Sequence, residues 1–123
     1  MMHGYLQQFG KRFVEIYSAG IEVHGVNSLA IKYMKEDGID ISNHISNHVD
    51  EYMSIDFDYI ITVCDHAKEH CPYFPSNAKH IHQNFFDPTK FSGSEVEIRN
   101  AFLKTRNEIK EFAKCFLNEL INP

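Results

Sequence analysis

The sequence lacks the segments that mark several classes of protein. No apolar run approaches the roughly 20 residues of a membrane span, and the opening MMHGYLQQFG has no apolar stretch of the kind found in secretory signals. The 12 lysines and arginines are scattered, the formal net charge is -5, and no basic block could cover a phosphate backbone. We therefore expect a cytoplasmic protein without a membrane or nucleic-acid partner.

Cysteine is also scarce, with three residues at Cys64, Cys71 and Cys115. In a reducing compartment, thiols serve as metal ligands, reactive groups or core residues more often than as structural disulfides. The segment TVCDHAKEHCP, residues 62–72, holds two of the three cysteines and is the first candidate site.

The remainder of the sequence predicts one ordered domain over residues 1–123. Of these residues 43% are hydrophobic, and the chain is long enough to bury a single core. Helix and strand patterns alternate along it, which favours an α/β domain with a mostly parallel sheet.

Four segments predict helices. The chain opens on the tail of one helix, which Gly10 ends, and LAIKYMKED predicts a second, capped by Asn27 or Ser28 and stopped by a left-handed Gly38. SNHVDEYM predicts a short helix with Ser46 as its cap. The last is a long amphipathic helix over residues 92–121. Its predicted apolar stripe comprises Val96, Phe102, Ile109, Phe112, Phe116 and Leu120.

Three segments predict strands. RFVEIYSAG alternates apolar and polar residues and ends at Gly20. DYIITVC is a continuous apolar run, which predicts a strand buried on both faces of a parallel sheet. KHIHQNF is a weaker strand candidate.

The residues around Cys64 and Cys71 leave three interpretations open. Cys64, His66, His70 and Cys71 are all zinc-ligand types, although their spacing does not match the common structural sites. Alternatively, Cys64 ends a buried strand and Cys71 begins a turn, and neither thiol reacts. In the third interpretation the two form a thiol relay, because Cys64 would lie at the carboxyl end of a strand, where α/β sheets place their chemistry. A helical turn after it would lower the thiol pKa.

Longer stretches carry a specific resemblance. SAG at 18–20, HGVN at 24–27, the Cys64/Cys71 pair and DP at 87–88 occur in this order. Together they resemble the thioredoxin-coupled arsenate reductases, which share the low-molecular-weight protein tyrosine phosphatase fold. The resemblance runs from Met2 to about Phe116 and implies a three-layer α/β/α domain with a mostly parallel sheet.

The resemblance implies a three-cysteine relay. A first cysteine attacks arsenate while an aspartate assists departure of the oxygen, and a second cysteine then attacks the first and releases arsenite. A third attacks the second, and thioredoxin reduces the resulting disulfide. Residue by residue, Cys64 matches the second thiol, Cys71 the third and Asp87 the acid. These residue types suit proton donation and sequential thiol exchange.

The first thiol of that relay matches no residue of this sequence. In the family it lies in a Cys-x5-Arg loop after the first strand, whereas Met1 and Met2 match the helix that follows. Cys115, far along the last predicted helix, does not substitute for it. We therefore expect the first strand and the phosphate-binding loop to be absent and these 123 residues to be catalytically incompetent, through truncation or a misassigned start codon. The missing strand would expose two sheet edges, through which a homodimer could form.

The resemblance implies no cofactor beyond thioredoxin, with one exception. In some relatives a serine joins a potassium site, and Ser18 and Glu22 are the candidates here. Asn47 stands where those relatives often carry an aspartate, which weakens a potassium site. The sequence also predicts that His80 and His82 are satisfied or exposed strand residues, and that His44 and His48 form a polar helix surface.

Two alternative functions stay open. The first is a low-molecular-weight protein tyrosine phosphatase relative, against which the cysteine pair argues, because phosphoryl hydrolysis needs one cysteine. The second is a non-catalytic thiol or metal-binding protein that acts through protein interactions.

Overall fold

A computed structural model describes residues 1–11, 13–20, 27–44, 47–52, 54–63 and 78–121. Over these residues the chain forms three α-helices, four β-strands and two 3-10 turns. The helices are α1 (Met2–Gly10), α2 (Ser28–Glu36) and α3 (Glu95–Ile121); the strands are β1 (Ala19–Gly20), β2 (Asn47–His48), β3 (Tyr59–Thr62) and β4 (Lys79–His82). The 3-10 turns span Val49–Tyr52 and Pro88–Lys90. None of the helices in this described part is long and apolar enough to cross a membrane.

The described residues group into two compact units. The first draws on Met1–Tyr17, Val26–His44 and Asp87–Pro123 and contains the three helices. The second draws on Ser18–Gly25 and Ile45–Phe86 and contains the four strands. The expectation of one domain over residues 1–123 stays a prediction.

The helical unit holds the apolar core. Helix α3 packs against α1 and α2, and the Tyr33 and Phe102 rings lie 5.3 Å apart between α2 and α3. The buried apolar residues are Tyr5, Leu6, Ala30, Tyr33, Met34, Ile39, Ile41, Phe102, Ile109, Ala113 and Leu117. Along α3 the buried positions recur every three or four residues, which places them on one face of the helix.

The predicted stripe of α3 is only partly correct. Phe102 and Ile109 are buried, but Val96 is 67% exposed, and Phe112 is half-buried and stacks on Phe116. The small residue Ala113 lies buried in their place. Where α3 packs closely against α1, the size of a side chain matters as well as its hydrophobicity. A hydrophobic stripe in the sequence does not show which positions require a small residue.

The ends of α2 confirm the predicted start and stop signals. The Asn27 side chain accepts hydrogen bonds from the amides of Leu29 and Ala30 at 2.9 and 3.1 Å, so Asn27 rather than Ser28 is the cap. Gly38 has φ of 80°, the left-handed value that favours glycine. At the end of α1, the positive φ of 32° falls on Lys11 rather than on Gly10.

The strand unit contains two parallel pairs. Strand β1 pairs with β2, and β3 pairs with β4 in the register Tyr59 to Lys79 through Thr62 to His82. Parallel pairing and the alternation with helices confirm the α/β class. However, β3 is not buried on both faces, because Ile60, Ile61 and Thr62 are half-buried and Tyr59 is exposed. Within the described residues β3 has a strand neighbour on one side, which leaves more of it open to solvent.

The strand predicted over RFVEIYSAG is much shorter in the structure. Of this segment Ala19–Gly20 is the part that is assigned as a strand, paired with Asn47–His48. Exposure nevertheless alternates from residue 13 to residue 18, as in a strand. The sequence pattern thus predicts the local chain course, whereas strand assignment depends on a partner from elsewhere in the chain.

The predicted helical surface at His44 and His48 is wrong. His44 follows a turn, and its ring lies 4.7 Å from the ring of His3. His48 ends β2 and caps the 3-10 turn that follows: its amide donates to Glu51 Oε2, and its Nδ1 accepts from the Asp50 amide. Pairing of residues 47 and 48 with β1 excludes them from a helix. The predicted cap Ser46 lies outside the described residues.

Candidate functional site at the carboxyl edge of the β3–β4 sheet

Strands β3 and β4 end together at one edge of their sheet. Because they are parallel, both chains leave from the same side. Backbone hydrogen bonds continue past the last register pair, since the Gln83 amide donates to the Thr62 carbonyl at 3.0 Å and the Phe85 amide donates to the Val63 carbonyl at 2.9 Å. Carboxyl edges of parallel strands are the usual location of ligand and catalytic sites in α/β sheets.

The last register position of this ladder carries a polar pair. Thr62 Oγ1 and His82 Nδ1 lie 2.7 Å apart, and both side chains are half-buried. His82 is thus a satisfied strand histidine, as the sequence predicts. The pairing itself was not predictable from sequence, because it requires the register of two strands whose paired residues are 20 positions apart.

Both chains that leave this edge lead towards predicted site residues. Val63 is followed directly by Cys64, and Phe85 is followed two residues later by Asp87. Cys64 and Cys71 themselves lie outside the described residues. Cys115 is an exposed free thiol on α3.

Asp87 is exposed and caps the 3-10 turn Pro88–Lys90. Its Oδ1 accepts hydrogen bonds from the amide and the hydroxyl of Thr89, at 3.0 and 2.6 Å. Asp87 Oδ2 receives no hydrogen bond from any described residue, and Pro88 behind it is buried. Oδ1 of Asp87 is therefore anchored by the turn that it caps.

Sequence inspection singled out Asp87 but missed its anchor, Thr89. The signal was present in the order Asp-Pro-Thr, because an aspartate two residues before a threonine can accept from both its amide and its hydroxyl. Proline at the first position of the turn also suits a capped start.

The metal sites considered in the sequence analysis are not found among the described residues. No group of three or more histidine, cysteine or acidic side chains within the described residues could hold a metal ion. The zinc set of Cys64, His66, His70 and Cys71 falls outside those residues, and so does Glu22 of the potassium set. Ser18 alone of that set has a described side chain, so no chemistry is assigned to potassium.

Comparison with known proteins identifies the class that this architecture defines. Residues 1–122 match the family described as low molecular weight phosphotyrosine protein phosphatase. The arsenate reductase of Halalkalibacterium halodurans is 42% identical over 112 residues, which cover 88% of this chain and 81% of that protein. The arsenate reductase of Bacillus subtilis is 41% identical over 118 residues, 93% of this chain and 85% of that protein.

Solved structures agree on the fold. An arsenate reductase in its oxidized state superimposes with a TM-score of 0.80 at 24% identity, over 96% of this chain and 86% of that one. The arsenate reductase of Archaeoglobus fulgidus gives a TM-score of 0.64 at 21% identity, over 92% and 87%. The chain belongs to the low molecular weight phosphotyrosine protein phosphatase family, within its arsenate reductase branch, and the resemblance noted in the sequence is confirmed.

Proposed function

We propose that this chain carries the resolving half of an arsenate reductase thiol relay, with Cys64 and Cys71 as its thiols and Asp87 as its proton donor. One structural observation supports this assignment above the others. The parallel strands β3 and β4 end at the same edge of their sheet, and in the sequence Cys64 comes two residues after β3 and Asp87 five residues after β4.

In this relay the electrons come from the two thiols. The Cys64 thiolate attacks the sulfur of the arsenic-bearing thiol, and the arsenic leaves as arsenite with the bonding electron pair. The Cys71 thiolate then attacks Cys64, displaces that first thiol and forms the Cys64–Cys71 disulfide. Two electrons thus reduce arsenate to arsenite, and Asp87, through Oδ2, protonates the oxygen that departs from arsenic.

A thiol assay tests the cysteine pair. Oxidation of the reduced protein with one equivalent of hydrogen peroxide removes two electrons and two protons per chain and yields water. We expect peptide mass mapping to find a Cys64–Cys71 disulfide, absent from Cys64→Ser and Cys71→Ser. Cys115→Ser, which removes the exposed thiol of α3, is the matched control and should retain the disulfide. A disulfide that persists in Cys64→Ser and disappears in Cys115→Ser would contradict the proposal.

Thioredoxin is the proposed reductant, and the cytoplasm is the compartment that supplies it. With thioredoxin, thioredoxin reductase and NADPH, the oxidised protein should consume one NADPH per disulfide. The Cys71→Ser protein should consume none. Retention of one equivalent of zinc by the wild type, lost in Cys64→Ser, would instead support a metal-binding function.

Turnover of arsenate also needs a first thiol. The 123 residues contain no Cys-x5-Arg sequence, and we expect the 123-residue chain to show no thioredoxin-dependent arsenate reduction. A steady consumption of NADPH on addition of arsenate would overturn this expectation.

The proposed homodimer would use an edge of the β3–β4 sheet. In the described residues this sheet has two strands, and Tyr59 at its edge is 36% exposed. Analytical ultracentrifugation should find a dimer that Tyr59→Lys weakens, because a charge on an edge strand opposes pairing with another chain. A wild-type protein that stays monomeric at all concentrations would exclude it.

A further inference from the structure

The peptide bond between Asp37 and Gly38 is the one Asp-Gly step in the sequence. In such a step the glycine nitrogen can attack the carboxyl carbon of the aspartate, because glycine has no side chain to obstruct a close approach of the backbone. The product is a cyclic succinimide, which water opens either to aspartate or to isoaspartate. This step lies at the end of α2, next to the other two helices of the unit.

The fold engages the attacking nitrogen. The Gly38 amide donates to the Lys35 carbonyl at 2.9 Å, and the Ile39 amide donates to the Met34 carbonyl at 3.0 Å. With the left-handed φ of 80° at Gly38, these two bonds form the Schellman ending of a helix. The backbone around the Gly38 nitrogen is therefore held on both sides, and its hydrogen lies in a backbone hydrogen bond.

The fold also engages the carboxyl group that would be attacked. The Tyr5 hydroxyl of α1 donates to Asp37 Oδ2 at 2.7 Å, and Nζ of Lys110 in α3 lies 3.2 Å from Oδ1 and 3.0 Å from Oδ2. The ammonium group favours the ionised carboxyl, whereas ring closure proceeds from the protonated carboxyl, whose hydroxyl can leave as water. We call these three side chains, Tyr5, Asp37 and Lys110, the helix junction.

We propose that Asp37–Gly38 is an isomerisation site that the folded helical unit protects and that opening of the helix junction releases. When the junction opens, the Gly38 nitrogen bonds to Asp37 Cγ, and the amide proton leaves with the carboxyl hydroxyl as water. Hydrolysis of the succinimide returns one water, so the mass of the chain is unchanged. The proposal concerns the helical unit and is independent of the thiol relay.

Isomerisation would prevent the junction from forming again. Isoaspartate adds one methylene to the main chain and removes it from the side chain. Its carboxyl therefore moves away from Tyr5 and Lys110, and the main chain no longer fits the Schellman ending. A transient opening of the unit thus becomes a lasting loss of the contact that joins its three helices.

Timed incubation of the full chain at neutral pH tests the proposal. Endoproteinase Asp-N cuts before aspartate but not before isoaspartate, so loss of cleavage between Glu36 and Asp37 measures the reaction, and enzymatic methylation of isoaspartate confirms it. We expect isomerisation to be slower in the folded protein than in guanidinium chloride by about tenfold or more, because it requires local opening. Asp40 is the internal reference, since it is exposed but is followed by Ile41, whose branched side chain obstructs ring closure. Equal rates at Asp37 in the folded and unfolded chain would overturn the proposal.

Two variants test the role of the junction. Tyr5→Phe and Lys110→Met each remove one partner of the Asp37 carboxylate and should speed isomerisation of the folded chain about tenfold, the effect of losing one hydrogen bond to a charged group. Tyr17→Phe, which removes an exposed hydroxyl, is the matched control and should keep the wild-type rate. Circular dichroism should show the variants folded, and if Tyr5→Phe unfolds, Lys110→Met decides. Wild-type rates in the folded junction variants would overturn the protective role.

A third variant confirms the chemistry where folding has no effect. In guanidinium chloride, Gly38→Ala should suppress isoaspartate at position 37, because a methyl group then obstructs the attacking nitrogen. Isoaspartate that forms equally fast in the unfolded wild type and in unfolded Gly38→Ala would overturn the assignment of the site to this Asp-Gly step.

Discussion

The Tyr5 hydroxyl donates a hydrogen bond of 2.7 Å to Asp37 Oδ2 and so joins α1 to the residue that ends α2. The same carboxylate pairs with Lys110 of α3, whose Nζ lies 3.0 Å from Oδ2. Tyr5 is fully buried. Burial opposes ionisation of Asp37, but the hydrogen bonds from Tyr5 and Lys110 outweigh it and hold the pKa of this carboxyl below its usual range. One carboxylate therefore connects all three helices of the unit.

Removal of the Tyr5 hydroxyl should destabilise the helical unit. Tyr5→Phe keeps the buried ring but removes a hydrogen bond to a charged acceptor, which contributes about 1.5–3 kcal/mol. Urea unfolding followed by circular dichroism measures the loss. Tyr17→Phe is the control, because its hydroxyl bonds to Glu15 at an exposed site, where we expect a change below about 0.5 kcal/mol. Equal losses in both variants would show that the Asp37 contact contributes nothing specific.

Tyr5 should also determine the alkaline limit of stability. Burial, followed by the hydrogen bond to Asp37 and its charge, raises the pKa of Tyr5. A raised pKa in the folded state contributes stability that is fully present below the unfolded value of about 10 and is lost as the pH rises above it. In a titration at 295 nm, one tyrosine should ionise only as the protein unfolds, and this late step should be absent from Tyr5→Phe. A wild-type titration in which all six tyrosines ionise together before unfolding would contradict this assignment.

The Asn27 cap should stabilise α2 measurably. Asn27→Ala leaves the Leu29 and Ala30 amides without their side-chain acceptor and should cost about 1 kcal/mol of unfolding free energy. Asn27→Asp and Asn27→Ser retain an acceptor and should lose much less. Ser28→Ala, one position along at an exposed site, is the control. A larger loss of unfolding free energy in Ser28→Ala than in Asn27→Ala would show that Asn27 is not the cap.

The His3–His44 pair should weaken the fold in mild acid. Burial, followed by the neighbouring His44 charge and the Met1 amino group, lowers the pKa of His3, and burial followed by the same amino group lowers that of His44, against a small opposing effect of Asp40. Groups with lowered folded pKa values bind more protons when unfolded, so stability falls as the pH drops below about 6.5. Urea midpoints between pH 5 and 7.5 should therefore decline towards acid. His44→Gln should flatten this decline and His80→Gln should not. If the urea midpoint declines with equal slope in both variants, the acid sensitivity does not arise from His44.

Local signals along the chain predicted the helices and their ends well. Asn27 and Gly38 bound α2 as expected, because a cap and a left-handed glycine act over three or four residues of contiguous chain. β3 and β4 were also predicted, from apolar and alternating runs. The prediction at His48 failed because two residues of the presumed helix pair with residues of β1 that lie 28 positions earlier in the chain.

At the candidate site, too, some features were predictable from the sequence and others depended on contacts between distant segments. The resemblance to the arsenate reductases singled out Cys64, Cys71 and Asp87 in the sequence, and their roles stay predictions. Thr89 anchors one oxygen of Asp87, and Thr62 forms a hydrogen bond with His82. The first contact depends on turn geometry and the second on strand register. Those relations are absent from any short window of sequence.

The sequence by itself determined the α/β class, the ends of α2 to within one residue, the family and the candidate residues of the proposed relay, since each is encoded in local pattern or in motif. Only the tertiary structure decided which side chains meet: Tyr5 with Asp37 and Lys110 in the helical unit, and Thr62 with His82 at the sheet edge. The physical reason is that side-chain hydrogen bonds need their atoms within about 3 Å, and that proximity is created by packing and register between segments distant in the chain.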